Sequence, residues 1–417
     1  MRFVVLLTLG LAAFAQAPPK SIHPGVRKIV DEVSSERIAA TMKKLGEFQT
    51  RHLDMPGHEA ARAWIETELR SYSPRLQVRT DRWTVPKMVR VKTAQEVANL
   101  VAVLPGKTEP ATQILVTAHY DTIAFPSGQN ENAPGVTDNG SGTAEAMELA
   151  RVLSQHEFDK TLVFAIFDGE EEALYGSTLH SMKAKADKTV IEAMLNNDII
   201  GTDTSGNGYR ATHVVNVYSG EPMDSGSRAL ARYVKEVAER YTPDMRAELV
   251  FRADRFGRGG DHTPFHQRGF AAVRFTTPAE QLTFQHTPND NFENSSPPYT
   301  TRVAQINAAA AASLALAPAA PKLATLGRGE SHYDADLKWE AVPRAAGYSV
   351  LVRATTAPFW EREFPVGAVT HFILKNVSVD TIVIGVRAWT SDGVESLVSA
   401  YAIRERPDRD IEASEKK

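Results

Sequence analysis

Hydrophobic residues are spaced in two different ways along the chain, and the change falls near residue 317. Before it, short and almost wholly apolar runs alternate with stretches in which apolar residues recur every three or four positions. The former are typical of strands buried on both faces and the latter of helices. Strands are predicted at 99–106, 114–118, 161–167, 214–218 and 271–275, and helices at about 142–155, 173–185, 225–241 and 300–316, with two more within 24–72. This order predicts an α/β domain with a mostly parallel central sheet flanked by helices.

The last part of the chain has a different pattern. The segment 317–321, Ala-Pro-Ala-Ala-Pro, is typical of a linker. Beyond it apolar residues occupy every second position, as in Tyr348-x-Val-x-Val352, and turn residues separate the runs. A period of two predicts a small β-sandwich. We therefore divide the chain into an α/β domain at 18–317, a sandwich at 318–405 and a charged tail, predicted to be disordered, at 406–417.

Residues 1–17 have the pattern of an export signal. An arginine is followed by an apolar run and then by small residues, with cleavage expected near Ala15 or Ala17. The run is too short to cross a bilayer, and no later stretch approaches that length. The pattern predicts a secreted or periplasmic protein without a membrane span.

Composition limits the chemistry that is available. With 417 residues, of which 42% are hydrophobic and 24% charged, the chain can bury a full core and is not intrinsically disordered. A formal net charge of -4 gives no basis for nucleic-acid binding. The absence of cysteine excludes disulfides and thiolate ligands, so any transition-metal site must use His, Asp and Glu.

Side chains of these types lie where the predicted strands end. His119 and Asp121 follow the strand 114–118, and Glu170 and Glu171 follow the strand 161–167. In open α/β sheets, ligands bind beyond the carboxyl ends of the strands. A metal hydrolase needs such adjacent carboxylates, one to hold an ion and one to take a proton from water.

Three more candidates belong to the same predicted rim. Asp198 ends another short apolar segment, His286 lies in a polar loop after the last strand, and Asp138 precedes a helix that begins with small residues. Singly, each has an ordinary explanation as a turn, cap or loop residue. Together, these carboxylates and imidazoles suit one or two divalent ions such as zinc.

Six motifs resemble, in order, those of the dizinc aminopeptidase family. That family includes secreted bacterial leucine-type aminopeptidases, glutamate carboxypeptidases and, more distantly, glutaminyl cyclases. The likeness extends over about 35–315. The motifs are His-x-Asp at 119–121, Gly-x-x-Asp-Asn-x-Ser-Gly at 135–142, Gly-Glu-Glu-x-x-Leu-x-Gly-Ser at 169–177, Asn-x-Asp-x-Ile-Gly at 196–201, Asp-His-x-Pro-Phe at 261–265 and His-Thr-x-x-Asp at 286–290.

The resemblance implies a set of metal ligands. His119 and Asp198 would bind one zinc ion, Glu171 and His286 would bind a second, and Asp138 would bridge the pair. Residues 18–317 would then be a zinc peptidase domain.

The resemblance also assigns the residues around the ions. Glu170 would be the general base toward a water activated by the two ions, and Asp121 would hydrogen-bond and orient His119. A non-proline cis peptide is implied between Asp138 and Asn139.

Other positions have expected roles or depart from the family pattern. Gln285 replaces a tyrosine that helps several members to stabilise the oxyanion, which leaves that contact open. Asp261 and His262 are expected to shape the floor of the pocket, and Glu172 to be a solvent-facing charge at a helix start. The sandwich resembles a fibronectin type III module, from Trp339 and the alternation after it. It could serve attachment, restrict access to the cleft or be a spacer.

With the export pattern of residues 1–17, the resemblance implies an exported zinc exopeptidase that acts on peptides, most simply an aminopeptidase that releases N-terminal residues. A carboxypeptidase and a glutaminyl cyclase on the same fold are the alternatives. A non-catalytic binding protein on a peptidase scaffold is more remote, because the five ligand positions and the base are all present. Neither the side-chain preference nor the oligomeric state follows from the sequence.

Overall fold

One eight-stranded sheet organises the larger part of the molecule. The computed structural model describes residues 22–88, 91, 93–124, 132–330 and 332–401, so the predicted signal at 1–17 and tail at 406–417 lie outside the described residues. The strands of this sheet are β1 Gln77–Val85, β2 Gln95–Leu104, β3 Glu109–His119, β4 Lys160–Phe167, β5 Val190–Asn197, β6 Val214–Ser219, β7 Arg246–Val250 and β8 Ala272–Thr276.

The four central strands of the sheet run parallel, and the strands on either side of them, β2 and β6, run in the opposite direction. The strand order is β1-β2-β4-β3-β5-β8-β6-β7. Strands β4, β3, β5 and β8 run parallel to one another, whereas β2 is antiparallel to β4 and β6 is antiparallel to β8. The prediction of a mostly parallel central sheet is confirmed. The sequence pattern does not predict the edge strands β1 and β7, because their half-exposed residues form no apolar run.

Helices cover both faces of this sheet. They are α1 Pro24–Asp31, α2 Ser35–Gly46, α3 Pro56–Tyr72, α4 Ser141–Leu153, α5 Tyr175–Ala186, α6 Gly226–Tyr241, α7 His262–Gln267 and α8 Pro297–Leu316. Three helices, rather than the two predicted, lie within 24–72, since α1 is too short to show a helical period.

Successive residues of β3 point into two separate cores. Val116 packs in the larger core with α4, α6 and the alanines 308–312 of α8. Leu115 packs in the smaller core on the other face, with Phe265 of α7 and Ala184 of α5. A sheet buried on both faces explains the nearly continuous apolar runs of its central strands.

The C-terminal part is a β-sandwich, as predicted. One sheet has the order β13-β10-β9 and the other β12-β11-β14-β15, and all pairs are antiparallel. Trp339, Tyr348 and Val386 belong to one core shared by both sheets. The strands are β9 Leu323–Gly327, β10 Ala335–Trp339, β11 Gly347–Ala354, β12 Arg362–Gly367, β13 His371–Leu374, β14 Ile382–Trp389 and β15 Ser399–Ala400.

Arginines of the sandwich bind acidic residues of the α/β domain. Arg344 donates to Glu109, at the start of β3, at 2.7 Å and to Asp159, just before β4, at 2.7 Å. The guanidinium of Arg387 is buried and lies 2.8 Å from Glu236 of α6. The sandwich therefore contacts the ends of β3 and β4 opposite to those that carry the candidate residues.

No helix among the described residues has both the length and the apolar character needed to cross a membrane.

Replacing Arg387 by methionine should destabilise the protein. The change removes a buried cation that lies 2.8 Å from Glu236 and 3.1 Å from Glu395. Removing one partner of a buried ion pair costs about 3–5 kcal/mol. We expect a clearly lower midpoint of urea-induced unfolding, followed by tryptophan fluorescence.

Arg328→Met is the matched control. Arg328 pairs with Asp380, and the two side chains are 57% and 65% exposed, so its loss should cost less than about 1 kcal/mol. Equal midpoints for the two variants would show that Arg387 does not fasten the sandwich.

Candidate metal centre

Two groups of three side chains share Asp138 at the carboxyl ends of the central strands. His119, Asp138 and Asp198 form the first triad, and Asp138, Glu171 and His286 form the second. Nε2 of His119 lies 3.5 Å from Oδ1 of Asp138 and 3.5 Å from Oδ1 of Asp198. Nε2 of His286 lies 3.3 Å from Oδ2 of Asp138 and 3.1 Å from Oε1 of Glu171. Asp138 thus presents one carboxylate oxygen to each triad.

These separations fit ligands of a shared ion. Nε2 of His119, Oδ1 of Asp198 and Nε2 of His286 are buried, yet none makes a hydrogen bond to any described residue. Zinc binds nitrogen and oxygen at about 2.0–2.1 Å, which places the ligand atoms of a tetrahedral ion about 3.3 Å apart. The observed distances of 3.1 to 3.5 Å lie around that value. Each triad can therefore hold a zinc ion.

The electrostatics of both triads favour bound cations. Burial lowers the pKa of His286, but the carboxylates of Glu171 and Asp138 outweigh it and raise that pKa to about 11. Burial likewise disfavours a charged His119, and the surrounding carboxylates nevertheless raise its pKa well above the usual value. A proton or a metal ion is thus strongly attracted to each imidazole.

Parallel strands bring most of these residues together. His119 ends β3, which lies between β4 and β5 in the sheet. Glu170 and Glu171 follow β4, and Asp198 directly follows β5. Because parallel strands end at one edge of a sheet, residues that are far apart in sequence meet there. The structure brings together all five predicted ligands.

Asp138 lies in the irregular turn Val136–Gly140 that precedes α4. The peptide bond between Asp138 and Asn139 is cis, as the family resemblance implies. Asp290 holds this turn from the loop that carries His286: its carboxylate accepts from the backbone N–H of Thr137 at 2.8 Å and of Asp138 at 3.0 Å. The sequence identifies Asp290 only as the last residue of a motif and does not predict these two hydrogen bonds.

Two buried arginines lie beside the triads, and the sequence pattern predicts neither as a site residue. Arg51 donates to the carbonyl oxygens of Tyr120 at 2.6 Å and Gly135 at 2.9 Å, and so joins the turn of Asp138 to the end of β3. Burial lowers the pKa of Arg51 to about 10, and its side chain still carries a positive charge at neutral pH. Arg274 lies 2.9 Å from Oδ2 of Asp198. Both guanidinium groups offset part of the negative charge of the site.

Asp121 contacts the backbone of the adjacent glutamates Glu170 and Glu171. Its two carboxylate oxygens accept from the backbone N–H groups of Glu170 and Glu171, each at 3.1 Å. Oδ1 is 3.5 Å from Nδ1 of His119, whereas the backbone carbonyl oxygen of Asp121 is nearer, at 3.2 Å. The predicted contact with His119 is therefore made mainly by the backbone, because the carboxylate is turned toward the two amides.

The prediction for Glu172 is wrong. Its side chain is fully buried, and Oε1 lies 3.3 Å from Nε2 of His52. The helix does not begin here: Ala173 and Leu174 have left-handed backbone conformations, and α5 starts only at Tyr175. The backbone therefore turns toward the protein interior after Glu171, and the side chain of Glu172 is buried.

Three further residues singled out in the sequence, Gln285, Asp261 and His262, belong to neither triad. Gln285 contacts Glu280 at 3.3 Å and Arg258 at 3.4 Å, so both ends of its amide have partners. Asp261 and His262 are buried, and Nε2 of His262 lies 2.7 Å from the carbonyl oxygen of Ala253. Burial raises the pKa of Asp261 to about 7.

A cleft of about 470 Å³, here called the metal cleft, opens onto both triads. Glu170 lines it and lies 3.9 Å from Nε2 of His119, although it belongs to neither triad. Burial, reinforced by the carboxylates of Asp198 and Glu171, raises the pKa of Glu170 well above its usual value. Arg255 and Arg258 line the metal cleft as well.

Comparisons with known proteins identify the family of this chain. Residues 99–311 match the profile of peptidase family M28. Proteins named "probable zinc metalloprotease" from Pyrenophora tritici-repentis and Pyricularia oryzae are each 34% identical to this chain. The first match covers 91% of this chain and 87% of the relative, and the second covers 93% and 86%.

Solved structures share the fold. The Legionella pneumophila LapA aminopeptidase has a TM-score of 0.55 at 20% identity, covering 70% of this chain and 74% of that one. An aminopeptidase from Aneurinibacillus sp. strain AM-1 has a TM-score of 0.53 at 17% identity, covering 68% and 95%. An Acidobacteriales bacterium glutaminyl cyclase has a TM-score of 0.54 at 20% identity, covering 67% and 94%. From the family profile and the curated relatives, the chain belongs to peptidase family M28 and is a zinc metalloprotease.

Proposed function

We propose that this protein is an exported aminopeptidase that uses two zinc ions to release N-terminal residues from peptides. The observation that carries the proposal is the pair of triads joined by Asp138, with Glu170 beside them on the wall of the metal cleft. Export rests on the sequence pattern of residues 1–17.

In this proposal the two triads divide the metal ligands. His119 and Asp198 would hold one ion, Glu171 and His286 would hold the other, and Asp138 offers one carboxylate oxygen to each triad. When bound, zinc polarises the scissile carbonyl and makes water more acidic.

Glu170 is the general base. Its carboxylate lines the metal cleft and belongs to neither triad, so it is available to take a proton from water and to pass it to the departing amine. A raised pKa suits this role, because it makes the carboxylate of Glu170 a stronger proton acceptor than an ordinary glutamate. Asp121 is a positioning residue that holds the backbone of Glu170 and Glu171 at a fixed distance from His119.

The charges around the metal cleft favour an aminopeptidase over a carboxypeptidase. A carboxypeptidase needs a cation that is available for the terminal carboxylate of the substrate. Arg255 and Arg258 line the metal cleft, but both already pair with Glu280, at 3.3 Å and 2.6 Å. A binding protein without activity is disfavoured, because every proposed ligand and the proposed base are present.

Glu170→Gln should abolish turnover while zinc stays bound. The amide keeps the size of the side chain but does not accept the proton, and general-base catalysis contributes roughly 10²–10⁴-fold. A screen of aminoacyl p-nitroanilides should show a loss of kcat of this order. The zinc content of the variant, measured by mass spectrometry, should equal that of the wild type.

Glu157→Gln, at an exposed glutamate that pairs with Lys107, is the control and should keep full activity. Activity that survives both Glu170→Gln and treatment with a chelator would contradict the proposed mechanism.

The number of ions can be measured directly. We expect two zinc ions per wild-type chain and about one in His286→Ala, because that change damages only the second triad. The exposed His371→Ala is the control and should keep two. A wild-type chain that binds a single ion would refute the assignment of two ions.

A peptide that begins with glutamine separates an aminopeptidase from a glutaminyl cyclase. An aminopeptidase shortens this peptide by whole residues, whereas a cyclase removes only ammonia. We expect shortened products by mass spectrometry. Loss of ammonia without shortening would instead favour the cyclase, whose fold this chain shares.

A further inference from the structure

Two buried histidines, His52 and His58, contact opposite ends of one segment of the metal centre. This segment, residues 168–172, is here called the acidic segment, and the proposed general base is its middle residue. Its end residues, Asp168 and Glu172, have fully buried side chains. Neither histidine belongs to a triad, so the proposed chemistry gives them no role.

His58 of α3 contacts the first residue of the acidic segment. Its Nε2 lies 2.8 Å from Oδ1 of Asp168, and Oδ2 of Asp168 accepts from the backbone N–H of Ala98 in β2 at 2.8 Å. The ring of His58 also stacks on Tyr120, with the ring centroids 5.0 Å apart. Tyr120 directly follows the ligand His119 in the sequence. His58 therefore joins the segment that follows β4 to the end of β3.

His52 contacts the last residue of the acidic segment. Its Nε2 lies 3.3 Å from Oε1 of Glu172, and its Nδ1 contacts Oδ1 of Asp54. An ionised carboxylate only accepts hydrogen bonds, so both ring nitrogens donate and the imidazole carries a positive charge. Burial lowers the pKa of His52, but its hydrogen bonds to Glu172 and Asp54 outweigh burial and raise that pKa above its usual value. Hydrogen bonds between charged groups are stronger than neutral ones.

The backbone that follows the acidic segment needs such support. Ala173 and Leu174 have φ values of 89° and 62°, in a region that residues with a side chain rarely adopt. A conformation of this kind persists only where the surrounding structure holds it. The buried contact between Glu172 and His52 lies directly before these two residues.

The position of Glu170 depends on the backbone of the acidic segment. Glu171 belongs to a triad, so its carboxylate can be fixed by a bound ion, whereas Glu170 belongs to neither triad. The backbone N–H groups of both residues donate to Asp121. The two histidines hold the same backbone two residues before Glu170 and two residues after it.

We propose that His52 and His58 are positioning residues that keep Glu170 and Glu171 at the distance from the first triad that hydrolysis requires. This inference rests on the proposed function, in which Glu170 is the general base. His58 fixes the start of the acidic segment and His52 fixes its end, so the two carboxylates between these contacts do not shift. A displacement of about 1 Å in such a site costs about 10²-fold in rate.

Four variants of the full-length protein test this role. His52→Phe and His58→Phe keep a ring and remove the donor, whereas His52→Gln and His58→Gln place an amide N–H near the position of Nε2. With aminoacyl p-nitroanilides, we expect kcat of each phenylalanine variant to fall about 10²-fold while KM stays nearly unchanged. Each glutamine variant should stay within about fivefold of the wild-type kcat, because it keeps a hydrogen bond to the same carboxylate.

Zinc binding gives a second readout that needs no substrate. Glu171 belongs only to the second triad, so a displaced acidic segment weakens the binding of one ion and not of the other. In titrations of the metal-free protein with zinc, the Kd of this ion should rise about 10–100-fold in both phenylalanine variants. The other Kd should stay at its wild-type value. The Kd that is lost in His286→Ala identifies the ion of the second triad.

His156→Phe is the matched control. Nε2 of His156 lies 2.6 Å from Glu32, beyond the end of α4 that is remote from the turn of Asp138. The control should keep the wild-type kcat and both Kd values, even if its midpoint of urea-induced unfolding is lower. If a phenylalanine variant does not fold, His52→Asn or His58→Asn replaces it, because the shorter amide does not reach the carboxylate.

Either an unchanged kcat or an unchanged Kd of the second triad in the variants that lose the contact would overturn the proposal. Equal losses in the phenylalanine and glutamine variants would overturn it as well, since the hydrogen bond would then not be the cause. If the wild type cleaves no aminoacyl substrate, the proposed function fails. The positioning role is then judged by zinc affinity alone, and an unchanged Kd of the second triad would refute it.

Discussion

Carboxylates crowded at the ends of β3, β4 and β5 need compensating positive charge, and the construction of the site depends on this need. Asp138 and Asp198 are buried, and the neighbouring glutamates 170 and 171 are largely shielded from water. Burying unpaired charge is costly. Arg274 lies against Asp198, and Arg51 lies close to the turn of Asp138, yet neither cation is within the triads themselves. The remaining negative charge makes the triads strong sites for divalent ions.

Backbone contacts convert this charge requirement into a fixed geometry. Asp290 holds the amides of Thr137 and Asp138, and Asp121 holds the amides of the two glutamates after β4. Arg51 ties the carbonyl oxygens of two of these segments together. Asp290, Asp121 and Arg51 themselves belong to neither triad. They keep ligands from separate strands within the 3.1 to 3.5 Å that a shared ion requires.

The arrangement of the whole molecule leaves one edge of the sheet open to substrate. The sandwich is attached at the opposite ends of β3 and β4, through Arg344, and along α6, through Arg387. These contacts hold the sandwich away from the metal cleft. They do not support a role for the sandwich in closing the metal cleft. The walls of the metal cleft come instead from loops of the α/β domain.

The sequence by itself determined the central strands, most helices, the sandwich and the position of the site. Apolar runs that stop at polar residues identify strand ends, and parallel strands bring His119, Glu171 and Asp198 to one edge. Only the tertiary structure decided the burial of Glu172 and the hydrogen bonds of Arg51 and Asp290 to the turn of Asp138. Periodicity reports which face of an element is buried, whereas these contacts join segments that are distant in sequence and depend on how the elements pack.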